Sequence, residues 1–249
     1  MRLTEHLRLS KHHGLGNDFL VVEGDVDAAM ARALCDRRTG IGADGLIGHR
    51  GLRMTLFNAD GSRAEMSGNG IRCLAQAMAA GRDATLDIET DAGVRHVDVR
   101  QAGPGVVDVR VGMGAVLAAP APVLDLGAKD VLGASVGNPH AVALFLDRAA
   151  LDAAADDFAM TDRNVEFVIA GPEDDALTMR VVERGVGETQ ACGTGACAAA
   201  WAAHRWGLVG ERVTVHMPGG SAVVELGADE VHLIGPAVHI ADIEVAWPS

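Results

Sequence analysis

The chain has 249 residues and a formal net charge of −13, with 49% hydrophobic, 22% charged and 3% aromatic residues. These figures predict a hydrophobic core of good size, arranged as one large domain or two small ones. The acidic balance and the scarcity of aromatic stacking surfaces argue against a nucleic-acid partner. The charge-free stretch 111–124 contains two prolines and is too short to span a bilayer, so no membrane partner is predicted.

The cysteines and glycine-rich turns predict neither a metal nor a bound cofactor. Cysteines occur at 35, 73, 192 and 197, without a CxxC pair or a zinc-like spacing, and no signal-peptide core precedes Lys11. Free thiols in a reducing cytoplasm are therefore expected. The turn 14–18 lacks the third glycine of a dinucleotide-binding motif, and no stretch ends in the Gly-Lys-Ser/Thr of a phosphate-binding loop.

Short elements with more strands than helices predict a mixed α/β (α+β) fold with much antiparallel pairing. In chain order, a helix with an apolar stripe of Ile71, Leu74, Ala75 and Met78 follows a glycine-rich turn. Alternating runs predict strands at 84–90 and 106–111. A second, alanine-rich helix is predicted at 196–204, and another strand at 222–226.

The two predicted helices belong to an internal repeat. A shift of the sequence by 125 residues against itself places Met54 on Met179, Ser67 on Cys192 and Gly68 on Gly193. Two glycine-rich turns, each opening a helix, thereby become equivalent. Chance similarity of two strand–turn–helix units is the alternative. The repeat predicts two similar halves, with a seam near 113–121 where glycine, alanine and proline collect.

Cys192 lies where the first turn of the second helix is predicted, and this position suggests chemistry. A helix N-terminus carries unpaired N–H groups and a partial positive charge, so it attracts carboxylates and favours an ionised thiol. The pKa of Cys192 is therefore expected to fall from its ordinary value toward neutrality, which suits a base or nucleophile. The alternative is a small residue in a tight turn, although Glu183 and Arg184 nearby favour a function.

Other polar residues carry weaker signals. The adjacent His12 and His13 point apart on an extended segment without an acidic cluster, so a structural role is favoured over a metal site. His140, taken alone, is more typical of packing than of catalysis. Several asparagines in glycine-rich settings could together bind a polar zwitterion: Asn17, Asn58, Asn69, Asn138 and Asn164.

The ordered motifs of the chain resemble those of the diaminopimelate epimerases, which interconvert the LL and meso forms of 2,6-diaminopimelate without a cofactor. The motifs are His13-Gly-Leu-Gly-Asn-Asp-Phe19, Gly40-Ile-Gly-Ala-Asp-Gly45, Phe57-Asn-Ala-Asp-Gly-Ser62, Gly68-Asn-Gly-Ile-Arg72, Gly137-Asn-Pro-His140, Asn164-Val-Glu-Phe167, Glu183-Arg-Gly-Val-Gly-Glu-Thr189 and Ala191-Cys-Gly-Thr-Gly-Ala196. They cover nearly the whole length of the chain.

The resemblance implies a fold and an assembly. It implies two pseudo-symmetric domains, each a curled, mostly antiparallel sheet around a central helix, with the active site in the cleft between them. The halves would be 1–114 and 115–237, with the last strand, about 238–249, returning to the first half. The resemblance also implies a homodimer that acts in lysine and peptidoglycan-precursor biosynthesis.

The family's two-base mechanism assigns roles by position. Two cysteines act on opposite faces of the substrate α-carbon, and Cys192 matches the second of them. His140 and Glu183 would assist the acid–base groups. The positions that match substrate-binding ones are Asn17, Asn58, Gly68, Asn69, Asn138, Asn164, Glu183, Arg184, Gly193 and Thr194. Backbone N–H groups of the two turns would hold the reacting carboxylate, and Arg184 would pair with the distal one.

One residue departs from the family pattern, because Ser67 stands where the family has its first catalytic cysteine. A thiol ionises near pH 8.5 and an alcohol much nearer the 15.7 of water, so Ser67 is a worse base by roughly 10 kcal/mol. Strongly reduced activity is therefore expected. Three explanations remain open: a deliberate Cys→Ser change in an epimerase, a natural serine variant catalysing one-base exchange or elimination, or a catalytically silent amino-acid-binding protein.

Overall fold

The computed structural model describes residues 4–159 and 162–248. It has the mixed α/β composition that the sequence predicts, with strands outnumbering helices. The chain separates into two compact units. The first runs to Val109 and includes the residues from Pro236 onward, and the second is Arg110–Gly235. Within the described residues, no helix has both the length and the apolar character needed to cross a membrane.

The elements follow one another in short succession. The first ten are β1 (Thr4–Gly14), β2 (Asn17–Glu23), α1 (Ala28–Cys35), β3 (Gly45–Arg50), β4 (Arg53–Asn58), β5 (Arg63–Ala64), α2 (Gly68–Ala79), β6 (Ala84–Thr90), β7 (Gly93–Gly103) and β8 (Val106–Gly114). The others are β9 (Leu117–Ala119), β10 (Asp130–Ser135), β11 (Pro139–Leu144), α3 (Arg148–Asp156), β12 (Asn164–Ala170), β13 (Ala176–Glu183), β14 (Gly187–Thr189), α4 (Gly193–Arg205), β15 (Arg212–Met217), β16 (Gly220–Leu226) and β17 (Val231–Pro248).

The first unit is a mixed sheet with helical crossovers. Strand β2 pairs antiparallel with β1 and parallel with β3, and helix α1 connects the parallel pair. Strand β4 pairs antiparallel with β3 and β5 and parallel with β6, across helix α2. A β6–β7 hairpin follows. The last strand, β17, pairs antiparallel with β1.

The second unit repeats this order of pairings. Strand β11 pairs antiparallel with β10 and parallel with β12, across α3. Strand β13 pairs antiparallel with β12 and β14 and parallel with β15, across α4. A β15–β16 hairpin follows. The two units therefore share one topology, which supports the internal repeat over a chance similarity of two turns.

A buried helix lies against the sheet of each unit. Helix α2 packs on β1, β2, β3 and β7, and most of its residues are buried, including the predicted stripe residues Ile71, Leu74 and Ala75. Helix α4 packs on six strands from β10 to β16. Its run of alanines lets the strands approach the helix closely, so the helix axis itself lies in the core of its unit.

The helices begin at side-chain caps of two chemical kinds. Asp27 and Asp147 cap α1 and α3, and their carboxylates accept hydrogen bonds from backbone N–H groups of the first turn. Ser67 and Cys192 cap the two central helices instead, each accepting from the N–H three residues later. Asp, Ser and Thr are common N-caps, whereas a thiol is a poor acceptor. Cys192 therefore occupies a position that helix stability alone would give to another residue.

His12 makes the stability of the first unit dependent on pH. Its side chain is 2% exposed and contacts Gln76 and Ser10. Burial lowers the pKa of His12 below 6.5, and the hydrogen bond to Gln76 offsets only part of this. Below that pH the unfolded chain therefore binds more protons than the folded one. The free energy of unfolding is expected to fall as the pH drops through 6.5, by up to about 1.4 kcal/mol per pH unit.

Urea unfolding between pH 7.5 and 5 measures this dependence. A His12→Asn variant is expected to show a shallower loss over that range than the unchanged protein. The matched control is His6→Gln, since the His6 side chain is 69% exposed and its removal should leave the slope unchanged. Equal slopes for the unchanged protein and the His12 variant would contradict the prediction.

Candidate active site

The turn before α4 holds the Cys192 thiol between several polar groups. Its Sγ accepts a hydrogen bond from the Gly195 N–H at 3.4 Å and lies 3.5 Å from the Thr194 hydroxyl. The residue is only 5% exposed. The extended backbone of Cys192, with φ −126° and ψ 116°, directs the side chain back over the first turn of the helix.

The pKa of Cys192 is raised well above its usual value, so the expectation of a lowered pKa was wrong for this structure. Burial is the main cause, and the carboxylates of Glu183 and Glu166 add to it. Hydrogen bonds from Thr194 and Gly195 lower the pKa, but by less than burial and the two carboxylates raise it. A helix N-terminus supplies about 1–2 kcal/mol, whereas burial can shift a pKa by several units. Cys192 is therefore at rest a thiol, the form that donates a proton.

Glu183 is a candidate to receive the proton of Cys192. It is the last residue of β13, and its Oε1 accepts a hydrogen bond from the Thr189 hydroxyl at 2.5 Å. Burial raises the pKa of Glu183, and hydrogen bonds with Thr189 and Cys192 offset part of the rise. A carboxylate with a raised pKa is a stronger base. Glu183 and Cys192 are thus two interacting titratable groups that could exchange a proton.

His140 and two of the predicted asparagines lie at the start of neighbouring parallel strands. His140 on β11 is in register with Asn164 on β12. The Nε2 of His140 lies 2.9 Å from Asn138 Oδ1, and its Nδ1 lies 2.7 Å from Glu166 Oε1. Asn164 Oδ1 accepts a hydrogen bond from the Arg184 backbone N–H at 2.9 Å. The second unit therefore brings together its predicted site residues.

The side chain of Arg184 differs from the others because it is exposed. Within the described part of the chain, its guanidinium forms no hydrogen bond or ion pair. Asp162 interacts with it electrostatically. An exposed guanidinium can bind a carboxylate ligand in a bidentate pair.

In the first unit, Ser67 has the backbone and cap geometry of Cys192. Its φ of −136° and ψ of 126° are close to those of the cysteine. Ser67 Oγ accepts a hydrogen bond from the Gly70 N–H at 3.0 Å. The side chain is half-buried. The Ser67 hydroxyl is thus at the position in the first unit that corresponds to the Cys192 thiol in the second unit.

A hydrogen-bonded network fixes two further predicted residues near Ser67. Asn17 Nδ2 donates to Asp44 Oδ2 at 2.7 Å, and Asn69 Nδ2 donates to Asn17 Oδ1 at 3.1 Å. The fully buried Arg72 donates from Nη2 to Asn69 Oδ1 at 2.8 Å. Both amides are thereby held in one orientation. Asn58 lies outside this network and donates to the Ser62 hydroxyl at 2.9 Å.

The first residues of both central helices offer backbone donors. The first helical hydrogen bonds run from the Ile71 N–H to Ser67 and from the Ala196 N–H to Cys192. The N–H groups of the residues before these donors are not used by the helical ladder. Gly70 and Gly195 donate theirs to the Ser67 and Cys192 side chains, and the others belong to Gly68, Asn69, Gly193 and Thr194. Such groups suit an anionic ligand, such as the carboxylate of an amino acid.

Sequence reasoning missed three residues that hold this machinery in place, namely Glu166, Arg72 and Asp44. A signal for Glu166 was available, because it is the only charged residue in β12 and is flanked by apolar residues. Alternation along a strand also places it on the same face as Asn164. Arg72 and Asp44 lie within the quoted motifs, but Arg72 also donates to the Pro236 carbonyl and Asp44 accepts from Asn17, and these partners are distant in the chain.

The other cysteines are not N-cap residues of a helix, as Cys192 is. Cys35 and Cys73 are free thiols, and burial raises the pKa of each to about 12. Cys197 is buried on the second turn of α4. Within residues 4–159 and 162–248, no group of three or more His, Cys, Asp or Glu side chains is placed to hold a metal ion.

Gly195 leaves the space in which the thiol and the Glu166 carboxylate lie. A Cβ added there would be 2.7 Å from Glu166 Oε1 and 3.3 Å from Cys192 Sγ. Gly195→Ala is therefore expected to lower the free energy of unfolding by about 1–3 kcal/mol, because the buried contact must shift. Gly103→Ala is the control, since a Cβ at Gly103 meets nothing within 4 Å. Urea unfolding measures the free energy of unfolding of both variants. The prediction would be contradicted if Gly195→Ala lowered it no more than Gly103→Ala does.

Comparison with known proteins gives the same family as the motifs. The family model described as diaminopimelate epimerase matches residues 9–118 and 133–240. A diaminopimelate epimerase of Desulfitobacterium hafniense is 38% identical, with 94% of this chain and 96% of the relative covered. One from Desulforudis audaxviator is 40% identical, with 95% and 98% covered.

Solved structures show the same fold at low sequence identity. A predicted epimerase from Pseudomonas aeruginosa superposes with a TM-score of 0.75 at 17% identity, over 96% of this chain and 99% of the other. A hydroxyproline epimerase from Agrobacterium vitis gives 0.69 at 16% identity, over 100% and 93%. The family model and the relatives confirm the resemblance seen in the motifs. The chain belongs to the diaminopimelate epimerase family of amino-acid isomerases.

Proposed function

We propose that this protein interconverts LL- and meso-2,6-diaminopimelate by proton transfer at the α-carbon, in lysine and peptidoglycan-precursor biosynthesis. The observation that carries the proposal is the Cys192–Glu183 acid–base pair at the N-terminus of a buried helix. The family membership and the exposed guanidinium of Arg184 support the choice of a substrate with two carboxylates. Ser67 makes this chain a strongly slowed form of the enzyme.

In the proposed reaction, the backbone N–H groups at the starts of α2 and α4 bind the carboxylate next to the reacting carbon. Negative charge builds on this carboxylate when the α-proton leaves, so the helix N-termini stabilise the transition state more than the substrate. The proposal assigns both turns to one substrate molecule, with the side chains of Asn17, Asn58, Asn69, Asn138 and Asn164 as further polar contacts and Arg184 on the distal carboxylate.

Cys192 and Glu183 perform the step that remains available to this chain. The thiol proton of Cys192 passes to Glu183, and the thiolate then removes the α-proton of the substrate. If the resulting thiol exchanges its proton with solvent and a solvent-derived proton then returns to the same face, the outcome is isotope exchange at the α-carbon without inversion. Inversion needs a proton from Ser67 on the opposite face. The reverse direction needs Ser67 as the base, which is worse than a thiol by about seven pKa units.

Incubation with each diaminopimelate isomer in deuterated water tests the proposal. We expect deuterium at the substrate α-carbon with mainly retained configuration, together with slow formation of the other isomer. Chiral chromatography and mass spectrometry separate the two outcomes. Absence of exchange at any enzyme concentration, despite saturable binding in calorimetry, would favour the silent amino-acid-binding protein instead.

A natural one-base enzyme for another amino acid is the second candidate, and it is favoured by the serine itself. Elimination from a β-substituted amino acid needs only one base, and Cys192 with Glu183 supplies one. This candidate predicts turnover of a β-chloro- or β-hydroxy-amino acid that is faster than any reaction of diaminopimelate. A substrate panel assayed for keto-acid formation distinguishes the two.

We also propose that the protein acts as a homodimer in the cytoplasm, without a cofactor, a metal or a nucleic-acid partner. Family membership supports the dimer, and the acidic charge and scarce aromatic residues support the absence of nucleic-acid binding. Light scattering coupled to size-exclusion chromatography measures the mass in solution. A monomer at micromolar concentration would contradict the dimer.

A further inference from the structure

Arg180 is a largely buried guanidinium inside β13, with a side chain that is 13% exposed. Among the residues that the structure describes, three carboxylates contact it. That of Glu188 belongs to β14, and those of Asp152 and Asp156 belong to α3. The proposed reaction gives this cluster no role, although Arg180 lies three residues before Glu183 in the same strand.

The contact between Arg180 and Glu188 is a bidentate pair. Arg180 Nε donates to Glu188 Oε1 at 2.6 Å, and Nη2 donates to Oε2 at 2.8 Å. Nη2 also donates to Asp156 Oδ1 at 2.7 Å, and Nη1 donates to Asp152 Oδ1 at 3.1 Å. Two parallel bonds fix the relative orientation of a guanidinium and a carboxylate, which a single bond does not. The pair, supported by α3, therefore fixes Glu188 relative to β13.

Strand β14 is too short to hold its register on β13 firmly by backbone pairing. It contains three residues, and each has one partner on β13. The preceding loop contains Gly185, and β14 begins at Gly187, with φ values of 78° and 97°. Short glycine-rich strands specify their register weakly, and a slip by one residue turns every side chain to the opposite face. Side-chain contacts of β14 are therefore needed to hold it.

Two diagonal contacts cross this hairpin on opposite faces. Register and alternation place Arg180 and Glu188 on one face. They place Thr189 and Glu183 on the other face. There the Thr189 hydroxyl donates to Glu183 Oε1 at 2.5 Å. One register therefore produces both contacts, and a slip that breaks the first also removes the second.

We infer that Arg180 is a positioning residue for the acid–base chemistry of Glu183. Through its bidentate pair with Glu188 it fixes β14 on β13, and so holds the Thr189 hydroxyl on the Glu183 carboxylate. The inference deepens the proposed function, and it rests on that function only for the use made of Glu183. Arg180 acts through the hairpin and not by contact with the substrate.

Amide hydrogen exchange of the hairpin tests the first step without any substrate. Glu188→Ala removes the β14 half of the pair at an exposed position and leaves Arg180 with the carboxylates of α3. We expect the peptide covering 181–189 to exchange about tenfold faster, because local opening no longer breaks two charge-assisted bonds. Peptides from α4 should exchange as before. An unchanged rate in the hairpin would overturn the inference.

Asp156→Ala is the matched control, since it removes a carboxylate from the same guanidinium with the same change of charge, but from α3. The Asp156 side chain is 67% exposed, and the contact of Arg180 with Asp152 remains. We expect this variant to leave hairpin exchange within about twofold of the unchanged protein. Equal acceleration by both variants would indicate an effect of charge alone, and it would overturn the inference.

The rate of α-proton exchange at saturating diaminopimelate tests the second step. Glu188→Ala is expected to lower kcat about tenfold, since Thr189 no longer orients Glu183. The dissociation constant, measured by calorimetry, should change little, because Asn164 on β12 still accepts from the Arg184 backbone N–H. A purely stabilising role predicts an unchanged kcat in the folded variant, and that result would overturn the inference.

Thr189→Val shows whether the pair acts through the Thr189 hydroxyl, because it removes the hydroxyl and leaves the pair intact. It should lower kcat about as much as Glu188→Ala does, with hairpin exchange unchanged. The double variant should be no slower than the slower single one, since both interrupt one contact. Additive losses would overturn the inference. If the unchanged protein shows no α-proton exchange, the proposed function fails, and the hairpin amides still decide whether the pair fixes β14.

Discussion

Ser67→Cys is expected to raise the rate of diaminopimelate epimerisation by roughly a thousandfold or more. The hydroxyl must give or take a proton on one face of the α-carbon, and a thiol does so at a far smaller cost in ionisation free energy. The structure also indicates that a thiol fits. Cys192 caps α4 with nearly the same backbone angles as Ser67 caps α2, and both side chains accept from the N–H three residues later.

The measurement is the initial rate of isomer formation from each isomer at equal enzyme concentration. Ser221→Cys is the matched control, since it adds a thiol at an exposed serine of β16. It should leave the rate as it was. An unchanged rate in Ser67→Cys, with a folded protein, would rule out the two-base epimerase and leave the one-base enzyme or the silent binding protein.

Cys192→Ala is expected to abolish α-proton exchange, a loss of at least about a hundredfold to ten-thousandfold. Cys192 is the residue with which Glu183 shares a hydrogen bond, and no other thiol is placed at a helix N-terminus in the described residues. Deuterium incorporation into each diaminopimelate isomer measures the effect. Binding of the substrate should persist, because the backbone donors of the turn remain.

Cys197→Ala is the control for this experiment. Cys197 lies in the same helix and is equally buried, so its removal perturbs packing without touching the turn. We expect a stability loss of about 1 kcal/mol and unchanged exchange. Exchange that survives in Cys192→Ala but fails in Cys197→Ala would contradict the assignment of the base.

The elements that were predicted well are those with strong local signals. The alternating runs predicted strands at 84–90, 106–111 and 222–226, and the structure has β6, β8 and β16 there. The apolar stripe and the alanine run predicted α2 and α4. The repeat was visible because the two turns keep their spacing. Periodicity and glycine placement act over a few residues, so one sequence is enough to read them.

The chemistry around Cys192 was predicted less well because it depends on burial. A helix N-terminus alone suggested a lowered pKa, but packing of α4 against β11, β12 and β13 removes water and places two carboxylates near the sulfur. Glu166 contacts His140, which is distant in the chain, only because β11 and β12 pair in parallel register. Local sequence does not fix such a register when the partners are far apart.

The sequence by itself determined the family, the two equivalent turns and the presence of serine where a thiol is expected. These properties are carried by residue identity and spacing. Only the tertiary structure decided that burial raises the pKa values of Cys192 and Glu183, and that Glu166 is buried near the Cys192 thiol. The physical reason is that pKa values and hydrogen-bond chains depend on desolvation and distance, and the packing of separate strands on one helix sets both.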